Sequence, residues 1–249
     1  MSVNGKRWSG LAALFLLASV ARGGDAPMSP LIERFVGSLT FYVDYDEDGG
    51  APVIAKGATD IRGPEGEPRL VPGILGLGIA DGGYTYNNEG NVDLTVPGTL
   101  IVWVSGWESA GDGAYIWPVI FITGRGTQHP LARMPKANSA IYAHFNRADG
   151  AAPDQNIVWI DYDAWGDDWH MLALTWDAES IGISVDGGAP YEKAVSEPLD
   201  ANLPWFMAGA GAAGAVTDEV AVLNRKLTAE ELKWLYEETL ARSEAAGGR

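Results

Sequence analysis

The chain has 249 residues, 47% of them hydrophobic and 10% aromatic, which is enough to bury one sizeable core and too apolar for disorder throughout. A formal net charge of −16 excludes nucleic-acid phosphate backbones and anionic membrane surfaces as partners, since both demand clustered Lys and Arg. The lack of any cysteine excludes disulfides, a thiol nucleophile and cysteine-linked lipid.

In chain order, Lys6 and Arg7 precede an apolar run from Leu11 to Val20, with Ser19/Ala21 or Ala21/Gly23 as small-residue pairs for cleavage. This predicts a secretory signal peptide over residues 1–23 and a product that is secreted, periplasmic or at the cell surface. An uncleaved anchor is the weaker alternative, because at about 1.5 Å per residue so short a run does not span about 30 Å of hydrocarbon. Loss of Lys6, Arg7 and Arg22 would take the net charge from −16 to −19. Residues 24–36 read as a linker, 37–242 as one domain and 243–249 as a disordered tail.

The domain opens on Leu39–Tyr45, where Leu39, Phe41, Val43 and Tyr45 alternate with Thr40, Tyr42 and Asp44, the period of a half-buried strand. Its end, Val43-Asp44-Tyr45-Asp46-Glu47-Asp48-Gly49-Gly50, begins like a helix-loop-helix calcium loop. That reading fails further along. Counting from Asp44, Pro52 falls at position nine and Ala55 at position twelve, where a bidentate Glu is required.

Further strands are predicted at 73–80, 99–105, 115–123, 139–145, 157–162, 169–176, 181–185, 203–208 and 216–223, separated by turn formers such as Asp81-Gly82-Gly83 and Val96-Pro97-Gly98. Asp186-Gly187-Gly188 suits a tight hairpin, because both central residues of a type I′ turn take positive φ. Many short strands with no helical pattern between them predict an all-β, antiparallel two-sheet sandwich. One helix is expected at the end. Thr228 and Glu231 form a capping box, Leu227 staples to Leu232, and Leu232, Leu235, Tyr236, Thr239 and Leu240 line one face.

Three segments carry a resemblance: Trp169-His170-Met171-Leu172-Ala173-Leu174-Thr175-Trp176-Asp177, Ile183-Ser184-Val185-Asp186-Gly187, and Thr217-Asp218-Glu219-Val220 through Leu227-Thr228-Ala229-Glu230-Glu231-Leu232. They resemble the signatures of laminin-G-like, concanavalin A-like jelly-roll domains, in the order those domains use. The 72–78 and 98–104 segments resemble that family's preceding strands, and the 44–50 segment its F-D-E-G turn. The resemblance implies a jelly-roll fold and a non-catalytic module that binds carbohydrate or an exported protein, often with a structural calcium ion.

Calcium takes six to eight oxygens, and the candidate ligands are Asp46 or Glu47, Asp60, Asp81 and above all Asp218. Two readings of Asp218 stand open: a metal ligand, or a rim carboxylate that accepts turn amides, with Glu219 facing solvent. The 44–50 segment is likewise either a solvated strand end or part of a calcium site.

For a sugar ligand, the 159–169 segment offers Trp165 for stacking with Asp163 and Asp167 as hydroxyl acceptors. The competing reading puts Trp159 and Trp169 in the core and leaves 163–168 as a polar loop. Trp107, with Tyr115, offers a second such loop.

Catalytic patterns are weak. Glycosidic hydrolysis needs two carboxylates about 5–9.5 Å apart, and the Asp44/Asp46 and Asp161/Asp163 pairs lack a Glu partner. A glycoside hydrolase or polysaccharide lyase of the same superfamily is the alternative function, and a purely structural surface protein a third. His129, His144 and His170 lack metal-motif spacing, and His170 reads as a packed structural histidine. The 209–214 glycine-alanine run reads as a connection, since no helix start follows it.

Overall fold

The computed structural model describes residues 28–46, 48–107, 116–123, 126–134, 140–145, 157–161, 166–195, 198–199, 202–209 and 214–247. The proposed signal segment therefore lies outside the described residues. Helix α1 (Pro30–Phe35) comes first, with Ser29 as its cap and Pro30 at the position where a missing N–H costs nothing. Then follow β1 (Leu39–Val43), β2 (Ile54–Ala55), β3 (Ile61–Pro72), β4 (Leu77–Asn87), β5 (Gly98–Ser105), β6 (Ile116–Thr123) and β7 (Gly126–Met134). The rest are β8 (Ala140–His144), β9 (Ile157–Asp161), β10 (His170–Trp176), β11 (Ser180–Val185), β12 (Tyr191–Ala194), β13 (Trp205–Gly209), β14 (Val216–Leu223) and α2 (Ala229–Ala245).

Every strand pair is antiparallel. The hydrogen-bonded order is β12-β11-β10-β5-β14-β4-β13-β6-β7-β8-β9, with β1 also on β14, β2 on β1 and β3 on β4. This long ribbon curls over on itself until β10 faces β7 and β9 faces β11 and β12. The result is an all-β jelly-roll sandwich closed at one side by a C-terminal helix.

The main core lies between the two layers. Leu100, Val102, Val104, Leu172, Leu174, Ile181 and Ile183 come from one wall; Val119, Phe121, Ile141, Val158 and Phe206 come from the other. The alternate residues of β5 and β10, Ile101, Trp103, Met171 and Ala173, join a second cluster under α1 and α2 with Leu31, Phe35, Leu232 and Leu235. These strands are buried on both faces, which is why they read as unbroken apolar runs. Trp103 stacks on Tyr236 with ring centres 5.7 Å apart.

Several expectations hold at the level of single atoms. Glu231 N donates to the Thr228 hydroxyl (3.2 Å) and Thr228 N to the Glu231 carboxylate (3.0 Å), which completes the capping box. Asp186 and Gly187 take φ of 51° and 70°, and Gly188 N donates to Val185 O at 2.9 Å, closing the hairpin turn.

Others are corrected. Residues 30–35 of the expected linker form α1, and α2 runs into the expected tail with Ser243 buried. A bulge between Leu39 and Phe41 turns Leu39 away from Phe41 and onto the face of Tyr42, so β1 is buried on both sides. Strands β2, β3, β7 and β12 escaped the sequence reading. In β3 the reason is Pro64 and Pro68, tolerated because its outer edge pairs with nothing among the described residues. Residues 73–76 are a turn, and β4 begins only at Leu77.

Candidate functional site

Two acidic-aromatic regions emerge, one sealed and one open. The sealed region surrounds the turn that joins β3 to β4. Asp218 is 0% exposed; its Oδ2 accepts the amides of Ile74 (2.9 Å) and Leu75 (3.2 Å), and its Oδ1 that of Glu219 (2.7 Å). The Asp46 Oδ1 accepts the Leu77 amide at 2.8 Å, on the other side of the same turn. Asp44 accepts the Asp46 amide at 3.2 Å.

Glycine is required here. A Cβ at Gly76, where φ is +81°, would sit 2.0 Å from Asp46 Oδ1, and one at Gly73 would sit 2.4 Å from Asp218 Oδ2.

Beside Asp218 the strand bulges, and Glu219 takes φ of 51°. The bulge directs its carboxylate inward. Glu219 is 2% exposed and accepts the hydroxyls of Tyr42 (2.8 Å) and of Ser29, the cap of α1. It does not face solvent as expected. Burial, and next the Glu219 charge, hold the Asp218 carboxyl well above the usual carboxylate range, against the pull of the turn amides. Burial and the same Glu219 charge push up the Tyr42 phenol.

Neither carboxyl meets solvent: Asp218 is 0% and Glu219 2% exposed. The competing reading of Asp218, an acceptor of turn amides, describes its contacts.

The calcium candidates are only partly brought together. Asp46 and Asp218 meet at the one turn. Asp60 is exposed in the loop before β3, and the Asp81 Oδ2 accepts both Nε (3.0 Å) and Nη2 (2.8 Å) of Arg69. Glu47 lies outside the described residues. Among those described, no group of three or more His, Asp or Glu side chains is arranged to hold a metal ion. Asp46 Oδ1 and both Asp218 carboxylate oxygens accept amides of this turn.

His170 is structural. His170 Nδ1 lies 2.8 Å from Asp186 Oδ2, while Asp186 Oδ1 accepts the Met171 amide at 3.0 Å, tying the β11–β12 turn to β10. His129 and His144, far apart in sequence, share one register position on β7 and β8.

The expected sugar platforms fare differently. Trp107 is 1% exposed and belongs to the main core, so its ring offers no surface. Tyr115, Asp163 and Trp165 lie outside the described residues. Asp167 is exposed in a bend, and its carbonyl accepts the Gly106 amide at 3.4 Å. Trp169 packs half-buried on the second cluster. Trp159, by contrast, is 54% exposed, which overturns its placement in the core.

Trp159 belongs to the open region. The end strands of the curled ribbon, β9 and β12, lie side by side at one rim of the sandwich. Tyr191 and Lys193 pair with Ile183 and Ile181, so they stand on the core-facing side of β12, but the opposite layer ends at β9. Tyr191 is left 59% exposed. The Lys193 ammonium comes within 5.7 Å of the Trp159 ring centre. Asp161, two residues from Trp159 on the same face of β9, is exposed. The sequence did give a sign of this site in the aromatic-acid alternation Trp159-Ile160-Asp161, but not that its strand ends the sheet.

No protein-family model and no curated protein matches the sequence. Solved structures do. The receptor-binding domain of botulinum neurotoxin mosaic serotype C/D matches with a TM-score of 0.62 at 12% identity, over 81% of this chain and 51% of that chain. The binding domain of botulinum neurotoxin DC in complex with rat synaptotagmin II matches with a TM-score of 0.65 at 11% identity, over 82% and 52%. The serotype D ligand binding domain in complex with N-acetylneuraminic acid matches with a TM-score of 0.62 at 9% identity, over 81% and 51%. The chain therefore spans about half the length of these structures, and at such identities the likeness is one of fold: a β-sandwich domain.

Proposed function

We propose that this chain is an exported, non-catalytic binding module whose ligand is carbohydrate or another exported protein. One observation carries the reading: the adjacent carboxyls of Asp218 and Glu219 are sealed inside and hold a turn and a helix cap, while large aromatic rings stand open at the rim. Hydrolysis of a glycosidic bond requires two carboxylates flanking a bound sugar, and Asp218 with Glu219 leaves a substrate no way in. Fold neighbours support the same direction, since one is solved with N-acetylneuraminic acid and another with synaptotagmin. The laminin-G-like signatures support it from the sequence side.

The test is purified protein on an array of glycans and exported proteins, with a parallel assay for released reducing ends. Saturable binding without product release is the expected result. Product release that disappears in Asp218→Asn at an unchanged melting temperature would replace the module by an enzyme.

A further inference from the structure

We propose that the rim where β9 meets β12 is a binding site for a neutral carbohydrate chain, with Trp159 and Tyr191 as stacking platforms and Lys193 and Asp161 as polar contacts. The inference rests on the module reading above and names its site and ligand class. Among the described residues, the other large apolar side chains that stand well exposed, Met28, Val36, Val53 and Val96, lie on other segments, whereas Trp159 and Tyr191 belong to strands that touch.

The size of the surface selects the ligand. Two rings, each a little over half exposed, offer about 200 Å² of apolar area, given about 150–250 Å² for an aromatic side chain. A stable protein partner covers about 800 Å² on each side. One or two sugar rings fit the smaller figure, since a pyranose presents a face of C–H groups that an aromatic ring covers and an edge of hydroxyls that needs donors and acceptors.

Such polar groups flank the rings. Lys193 supplies N–H donors beside the indole, and Asp161, about 7 Å along β9 from Trp159, supplies acceptors. Glu192 points to the opposite face of β12, where its carboxylate lies 2.9 Å from Lys226 Nζ, and so stays out of the site.

Charge narrows the class further. Among the described residues, Lys193 and Asp161 contribute opposite charges at the rim, and a chain of net charge −16 repels polyanionic glycans at long range.

The experiment uses the full chain on an array carrying neutral gluco-, galacto- and manno-oligosaccharides beside sialylated, uronic and sulfated ones, followed by calorimetry with the tightest neutral hit. Neutral oligosaccharides are expected to bind. Trp159→Ala should weaken the hit about tenfold and Tyr191→Ala several-fold, with melting temperatures within about 2 °C of the parent because both rings are already mostly solvated. Trp159→Phe, which keeps a ring, should retain most of the binding. Should Trp159→Ala fail to fold, Tyr191→Ala and Asp161→Asn decide the matter alone.

Undiminished binding by the Trp159→Ala/Tyr191→Ala double variant would place the site elsewhere and leave the module reading intact. Binding confined to anionic glycans would overturn the neutral class. Binding of no saccharide at all would overturn the proposal together with the carbohydrate half of the module reading.

Discussion

The turn under β14 and the rim at β9 and β12 use the same ingredients, carboxylates beside tyrosine or tryptophan, to opposite ends. At the turn the acids are buried, and each described contact is an amide or hydroxyl of the chain itself; at the rim they are solvated beside open rings. The contrast shows that an acidic-aromatic cluster becomes a structural device once its acceptors are filled from within. It stays open to solvent where the strand carrying it ends the sheet.

The largest effect that would break this comparison comes from Asp218→Ala. Three backbone amides would lose their acceptor in a site without water access, and each buried donor left unsatisfied costs about 1–3 kcal/mol. Allowing for non-additivity, a loss of roughly 3–5 kcal/mol is expected in denaturant unfolding. A loss below about 1 kcal/mol would mean that the turn stands without its carboxylate. Gly76→Ala should come next. It combines a positive φ with a Cβ driven into Asp46, and about 2 kcal/mol is expected by the same measurement, whereas Gly247→Ala, with open space around it, should cost about 1 kcal/mol or less.

Much of this architecture was legible in the sequence, and the failures have physical causes. The capping box at Thr228 and the Asp186-Gly187 turn were readable because their chemistry is local: the partner lies within three residues. The apolar runs Leu100–Val104 of β5, Met171–Leu174 of β10 and Val220–Leu223 of β14 were readable because burial on both faces leaves no polar interruption within them. Strand β3 was not, since an edge strand tolerates the prolines that argue against a strand. The side on which Leu39 falls was set by a bulge, and the inward turn of Glu219 by another; neither leaves a mark in residue type.

The site followed the same rule. Asp218 was readable as an acid of consequence, but its partners Ile74 and Leu75 lie 144 and 143 residues away. Trp159 looked like any core tryptophan, because nothing in its neighbours says that β9 is the last strand.

The pH dependence of stability sharpens the comparison by a smaller amount. An ordinary aspartate titrates near 3.8, and Asp218 in the fold is held well above that by burial and by Glu219. Below 3.8 both folded and unfolded chains carry the proton, and this contribution is fully present. As pH rises past 3.8 the unfolded chain releases it first, so the contribution is lost progressively up to the folded value. Glu231, lowered by its Arg225 contacts, works with the opposite sign and loses its contribution as pH falls. The difference between parent and Asp218→Asn isolates the aspartate: the parent's unfolding free energy should decline more steeply above pH 4 than the variant's. Parallel curves would show that Asp218 titrates in the fold as it does in the unfolded chain.

Chelation should have the smallest effect, and it bears on whether the turn is closed to ligands. An ion that binds only the folded state at about 100 times its dissociation constant stabilises by about 2.7 kcal/mol, and removing it would lower the melt by several degrees. Asp46 and Asp218 already accept the turn amides, Asp81 is held by Arg69, Asp60 stands apart, and no group of three or more acidic or histidine side chains is gathered among the described residues. A melting temperature unchanged within about 1 °C between metal-free and calcium-loaded protein is therefore expected. A drop of several degrees on chelation, reversed by calcium, would mean that oxygens beyond the described residues, with Glu47 the nearest in sequence to Asp46, complete a site there. The acidic turn would then share with the rim the capacity to hold a ligand, and the division between a sealed and an open region would have to be drawn elsewhere.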